Sequence, residues 1–485
     1  MSYSEAIDYL YNLQKHGIKF GLDNISWLMS LLDNPHKSFL SVHVAGTNGK
    51  GSVSAIIASI LKNAGLRVGL FTSPHIVSFT ERIRINGEEI SEDEIIELAD
   101  EIRCLVKRSG DFSPTFFEVV TAMALLYFKR KKIDIAVMEV GMGGRLDATN
   151  IITPEVSVIT NVSYDHMEFL GGTLKEIAHE KAGIIKKGIP VVTSYQEPET
   201  MKVIEGKAIE NDTDLYVYGR DFFSVLKRED FSGICFDYYS RLSSQALHPM
   251  TQETVERSQD FSESCHSSQF TINDLVLPLM GEHQMQNASV AIKAAMIAIE
   301  NCITNPPPPP FTKGGIIHSP SISHHFIREG LKNVRWPGRL EIIKEEPVIL
   351  IDGAHNPAAA NALSKAFKEF FLEKYKRIII VLGIMGDKDV KGIMEPLLPL
   401  ASKIILTSPE YSRAASPEKL VATAASLRFF NVRTVLTVKD AIEMAPELAH
   451  DNPASSLILV TGSFYTIGEA KEAIGMKGIL ARLRE

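Results

Sequence analysis

Short apolar runs that end in glycine or a polar residue recur through the first half of the chain: SVHVAGTNG, RVGLFTSPH, IDIAVMEVGMGG, VSVITNVSYDH and IPVVTSY. Their shortness and their richness in Val and Ile predict strands. Between several of them the period changes: Val53, Ile56, Ile57, Ile60 and Leu61 repeat at the spacing of one helix face. Strands alternating with helices predict an α/β fold with a mostly parallel sheet covered on both faces. In such sheets ligands collect at the carboxyl ends of the strands, where these glycine and polar positions fall.

The rhythm resumes late in the chain, in PVILIDGAHNP, RIIIVLGIMGDKD, KIILTSPEYSR and SLILVTGSFYTIGEA. Two domains are expected: residues 1–340, a larger P-loop ATPase-like domain, and residues 341–485, a smaller Rossmann-like α/β domain. Two polar insertions fall in the larger one. Residues 212–270 hold the serine-rich RLSSQALHPMTQETVERSQDFSESCHSSQ and are expected to form a long surface loop. Residues 305–325, NPPPPPFTKGGIIHSPSISHH, are expected to form an extended spacer, because proline excludes helix.

Composition narrows the classes. Hydrophobic residues make up 45% and charged residues 23%, the balance of a soluble globular chain. The net charge of −8 argues against nucleic acid as the partner but leaves room for a local basic pocket. Cys104, Cys235, Cys265 and Cys302 are widely separated, so neither a zinc site nor a disulfide framework is expected. The amino-terminal MSYSEAIDYLYNLQKHG predicts an amphipathic helix with acidic residues, not a signal peptide. No apolar run approaches the roughly 20 residues that span a bilayer. A cytoplasmic monomer with no membrane partner is expected.

The strongest chemical signal is Gly46-Thr47-Asn48-Gly49-Lys50-Gly51-Ser52, between a strand and a helix. Glycines let several N–H groups face one anion, and the helix N-terminus adds partial positive charge. Lys50 supplies a full charge and Ser52 a hydroxyl for Mg²⁺. The spacing departs from GxxxxGK[ST], since position 44 is Val and Gly51 separates Lys50 from Ser52. A glycine turn carrying a solvated lysine is the structural alternative.

GTNGKGS resembles the phosphate loop of the Mur ligase superfamily, ATP-dependent enzymes that join a carboxylate to an amine. The glycine after the lysine is similar to that of the folate branch, folylpolyglutamate synthase and dihydrofolate synthase. The stretches SPHIVSFTERIRING, TFFEVVTAMALLYF, EVGMGGRLDATN, DHMEFLGGTLKEIAHEKAGIIK, WPGRLE, DGAHNP and TGSFYTIGEA follow in that family's order. The likeness spans nearly the whole chain outside the two insertions.

The resemblance implies roles for particular residues. Ser73 and Glu139 would hold one Mg²⁺, and Glu139 and His166 a second. Glu139 ends an apolar strand and suits a hard cation on chemistry alone, whereas His166 on chemistry alone reads first as a structural histidine and is a metal ligand only by the resemblance. Lys181 would be carbamylated; by composition it is an ordinary surface lysine. Asn48, Gly49, Lys50, Gly51, Ser52, Asn287, Arg339 and Asp352 would contact ATP, and His355 would lie near the reacting groups. Thr115, Phe116, Phe117 and Glu118, with Leu146, Asp147 and Ala148, would lie against the pterin. Read without the family, Phe117, Val120, Ala124 and Phe128 simply mark a buried helix.

The implied reaction activates a carboxylate as an acyl phosphate, which the amine of L-glutamate then attacks. The acid would be dihydropteroate, a reduced folate, or both. A cell-wall amino-acid ligase would share this mechanism but use a UDP-linked acid; a P-loop kinase or ATPase would need no amine. Closure of the domains over ATP is also expected, excluding water from the intermediate.

Overall fold

The computed structural model describes residues 1–17, 21–110, 113–241, 269–304, 320–449 and 455–476. It divides into two compact units. Unit 1 comprises Met1–Ser73, Arg82–Pro278 and Glu282–Arg335; unit 2 comprises Pro74–Glu81, Leu279–Gly281 and Trp336–Glu485.

All nine strands expected from the apolar runs are present. Unit 1 contains β1 (Leu40–Ala45), β2 (Val68–Phe71), β3 (Ile83–Ile85), β4 (Glu88–Glu89), β5 (Ile135–Glu139), β6 (Val156–Ile159), β7 (Val191–Thr193) and β8 (Leu215–Val217). They form one sheet in the order β4-β3-β2-β5-β1-β6-β7-β8. From β2 to β8 every pairing is parallel, and the β3–β4 hairpin adds an antiparallel edge. The central strand β1 has β5 on one side and β6 on the other, with Val44 opposite Glu139 and Ala45 opposite Ile159. The ends of these three strands therefore open on one crevice, the place where open α/β sheets bind ligands.

After β1 the chain enters the helix Lys50–Asn63. Val53, Ile56, Ile57, Ile60 and Leu61 are fully buried, as their spacing predicts. The amino-terminal helix Tyr3–Asn12 is also as expected, with Ala6, Ile7 and Leu10 inward and a capping box between Ser2 and Glu5.

The 212–270 insertion departs from the expected loop. β8 completes the main sheet, and β9 (Phe222–Asp230), β10 (Gly233–Arg241) and β11 (Gln269–Leu277) form a separate antiparallel sheet. The cause is alternation: Ile234, Phe236 and Tyr238 turn inward, as do Phe222 and Ser224 on β9. The serine run that dominates the composition lies almost wholly outside the described residues. Of the proline-rich spacer, residues 305–319 lie outside the described residues. Its last part differs from the expectation, because a helix runs over Pro320–Lys332 with its proline at the start, where a missing N–H costs nothing.

Unit 2 contains β12 (Glu341–Glu345), β13 (Val348–Ile351), β14 (Arg377–Leu382), β15 (Lys403–Leu406), β16 (Val432–Thr434) and β17 (Ser456–Thr461), in the order β12-β13-β17-β14-β15-β16. Five strands are parallel and β12 is antiparallel. Alternate residues face two cores: Leu350, Ile378, Ile380 and Leu459 one, Ile349, Ile379, Val381 and Ile458 the other. Each such burial contributes about 1.5–3 kcal/mol. The unit begins before the expected 340/341 division and borrows two short segments. Ile76 and Met280 explain this, since each packs into one of its cores.

Candidate active site

The phosphate loop is built by backbone geometry. Gly49 caps the helix Lys50–Asn63 at φ 87°, a left-handed conformation that L side chains rarely adopt. A Cβ there would also lie 2.5 Å from Asn287 Oδ1, so Asn287 packs directly against the loop. Gly51 and Ser52 are buried in the first turn. The Lys50 ammonium donates to the carbonyls of Gly46 (3.1 Å) and Thr47 (3.0 Å).

The loop after β6 braces it. The Thr47 hydroxyl donates to the Ser163 carbonyl at 3.0 Å and accepts from the Ser163 N–H at 3.1 Å. Asn48 Nδ2 donates to Ser163 Oγ at 3.2 Å, and the Thr160 hydroxyl donates to the Asn48 carbonyl at 2.7 Å. Sequence reading missed Thr160 and Ser163; a hydroxyl after a strand gives no signal of its target.

Glu139 ends β5 beside this loop and is only 4% exposed. Its carboxylate accepts from the Ser73 N–H at 3.1 Å, which brings two of the three expected metal residues together. His166 stands at φ 49°, its N–H donating to Asp165 Oδ1 at 2.9 Å. Its Nε2 lies 3.8 Å from Asp165 Oδ2. Buried Asp165 was also missed, although the Asp-His pair is visible in the sequence.

Lys181 is no surface lysine. It lies on the helix Leu174–Ala182, is buried, and donates from Nζ to the Gly46 carbonyl at 2.8 Å. Burial lowers its pKa to about 7, the Lys50 charge adds to that effect, and Asp165 and Asp147 oppose it.

At the helix Phe116–Arg130, Thr115 and Glu118 form a capping box. The Glu118 carboxylate accepts from the Thr115 N–H at 2.6 Å, and Thr115 Oγ1 accepts from the Glu118 N–H at 3.3 Å. That accounts for this polar pair structurally. Phe116 stacks against Tyr11 at 5.2 Å with Arg82 5.5 Å from its centroid, and Phe117 packs against Phe71. Asp147 is a brace between Leu146 and Ala148: it accepts from the N–H groups of Met142 and Thr149, both at 3.0 Å, and from the Thr149 hydroxyl at 2.5 Å. Burial raises its pKa. Thr149 spends its one proton there, so it accepts from the His43 Nε2–H at 2.8 Å. Buried His43 is neutral, its pKa pushed down to about 3.

In unit 2, Arg339, Asp352 and His355 come together. The Arg339 guanidinium lies 5.0 Å from the Phe464 ring centroid, and the His355 ring 5.4 Å from the same ring. Asp352 Oδ1 accepts from the Ala354 N–H at 2.9 Å, and His355 Nδ1 donates to the Gly353 carbonyl at 2.8 Å. Burial raises the Asp352 pKa, opposed first by the Arg339 charge.

Comparison with known proteins fits these two sets of residues. The Mur ligase middle domain model matches residues 44–295, and the Mur ligase, glutamate ligase domain model matches 338–464. The chain is 33% identical to the dihydrofolate synthase/folylpolyglutamate synthase of Bacillus subtilis, over 98% of this chain and 99% of that protein. It is 33% identical to the folylpolyglutamate synthase of Lacticaseibacillus casei, over 98% and 99%. A crystal structure of Mycobacterium tuberculosis folylpolyglutamate synthase, complexed with ADP and AMPPCP, superposes with a TM-score of 0.82 at 32% identity, covering 98% of this chain and 100% of that one. Both the phosphate loop of unit 1 and the Arg339–Asp352 loops of unit 2 fall inside the matched regions, and this chain belongs to the folylpolyglutamate synthase/dihydrofolate synthase branch of the Mur ligases.

Proposed function

We propose that this ATP-dependent, C–N bond-forming ligase adds L-glutamate to dihydropteroate, to the γ-carboxylate of a reduced folate, or to both. The relatives' names cover both reactions. The observation that carries the reading is the buried Lys181 ammonium on the Gly46 carbonyl, beneath the phosphate loop.

ATP would seat its phosphates on the N–H groups of Asn48, Gly49, Lys50, Gly51 and Ser52, with Lys50 exchanging its loop carbonyls for phosphate oxygens. Asn287, Arg339 and Asp352 complete the proposed nucleotide contacts. Among the described residues no three His, Cys, Asp or Glu side chains cluster as a metal site. Magnesium needs no such cluster, because it is held by one or two protein ligands plus phosphate and water. A buried carboxylate beside the phosphate loop fits it. Glu139, Ser73 and His166 would hold two Mg²⁺, which would supply charge neutralisation on the phosphates.

A carboxylate oxygen of the substrate attacks the γ-phosphorus, the bond to ADP breaks, and an acyl phosphate forms. The glutamate amine then attacks the acyl carbon, inorganic phosphate leaves, and the amine gives up its proton. Arg339, Lys50 and His355 would steady charge on the transferring groups. Only neutral lysine adds CO₂, so the lowered pKa of Lys181 supports carbamylation, which releases a proton and leaves an anion. The pterin would lie against Phe116, Phe117 and the Leu146–Ala148 stretch. Phosphate release measured with each substrate omitted in turn tests the reading. Release must require both the acid and glutamate; release indifferent to glutamate contradicts it.

A further inference from the structure

Arg339 stands between two residues in the left-handed region, Gly338 at φ 72° and Leu340 at φ 45°. Glycine takes that conformation freely and leucine does not, so surrounding bonds must hold the turn. Two carboxylates do this. Asp352 Oδ2 accepts from the Leu340 N–H at 3.1 Å, and Glu341 Oε2 accepts from the Gly338 N–H at 2.7 Å.

Glu341 has a second partner. Its Oε1 accepts from Lys471 Nζ at 2.9 Å, and the Lys471 side chain is only 5% exposed. Lys471 lies on the helix Phe464–Ala473, whose first residue supplies the ring against the Arg339 guanidinium. Two helical turns separate them, so both project from one face. Ile467, between them, lies so close to Gly338 that a Cβ there would be 2.9 Å from its Cδ1. One helix face thus fixes the guanidinium, the turn and the carboxylate that ties the turn.

We propose that Glu341 and Lys471 form a positioning pair for Arg339, holding its turn in the conformation that presents the guanidinium to the nucleotide. The inference rests on the reading of Arg339 as an ATP contact. An ion pair with one partner buried and the other half-buried adds little stability, whereas its geometry is exacting. Glu341 and Lys471 touch no reacting group; they act through the Gly338 N–H.

The test is a double-mutant cycle in the full-length enzyme, with Lys471→Met and Arg339→Ala singly and together. Initial rates are taken while ATP and glutamate are varied separately. Lys471→Met is expected to raise the KM for ATP about tenfold, leave that for glutamate within about twofold, and add nothing in the Arg339→Ala background. Lys471→Arg should restore most of the loss. Equal effects in both backgrounds, parallel changes in both KM values, or an unchanged KM for ATP would overturn the proposal. If Lys471→Met fails to fold, Glu341→Gln, which keeps the shape and loses the charge, is read the same way. A normal KM for ATP in Arg339→Ala removes the nucleotide contact itself, and the positioning role with it.

Discussion

Lys181 and Lys50 donate to the same carbonyl oxygen, that of Gly46, at 2.8 and 3.1 Å. Two ammonium groups on one oxygen repel, and Lys181 is the one without access to solvent. With its pKa lowered from 10.5 to about 7, the unfolded chain binds more protons than the folded one between those values. In CO₂-free buffer, where the amine is unmodified, stability should therefore rise as pH climbs from about 7 toward 10.5. Lys181→Met should remove that increment, read as the pH dependence of the denaturation midpoint. Lys181→Ala should lose most activity, with partial rescue by small carboxylates such as acetate. An unaffected Lys181→Ala enzyme would contradict the carbamate.

Gly49 meets two constraints at once, a left-handed φ and the neighbouring Asn287 amide. Gly49→Ala should raise the KM for ATP at least tenfold and lower stability by about 1–3 kcal/mol. Nucleotide titration and denaturant unfolding of the same variant check the two effects.

Glu139→Gln keeps an acceptor for the Ser73 N–H and removes only the charge. The fold should survive with a melting temperature close to wild type, while turnover falls on the order of a hundredfold or more. The magnesium concentration needed for half-maximal rate should rise.

Thr115 and Phe116 are adjacent but should separate experimentally. Thr115→Ala breaks the capping box and should cost about 1 kcal/mol of stability. Phe116→Ala should chiefly raise the KM for the pterin-bearing acid. Comparable losses of substrate affinity in both would place Thr115 in the binding surface as well.

Much of this was legible in the sequence because strand and helix periods are local. The nine apolar runs became nine strands, and the Gly46–Ser52 turn sits where a strand meets a helix. What stayed hidden depends on pairings distant in the chain. The hydroxyls of Thr160 and Ser163 reach back to Thr47 and Asn48. Lys181 stands apart from its neighbouring lysines in being buried against the Gly46 carbonyl, a contact 135 residues away in the chain. The strands Phe222–Asp230 and Gly233–Arg241 were hidden by composition, since a serine-rich neighbour outweighed their alternation. The Thr115–Glu118 pair, three residues apart at the head of an apolar run, is legible as a capping box.

The central claim is amide formation coupled to ATP cleavage. Purified protein given ATP, magnesium, L-glutamate and either dihydropteroate or a reduced folate should yield an acid one glutamyl residue heavier, with one phosphate released per amide formed. Mass spectrometry of the acid alongside phosphate measurement decides it. Phosphate release with no mass gain on either acid would contradict the account.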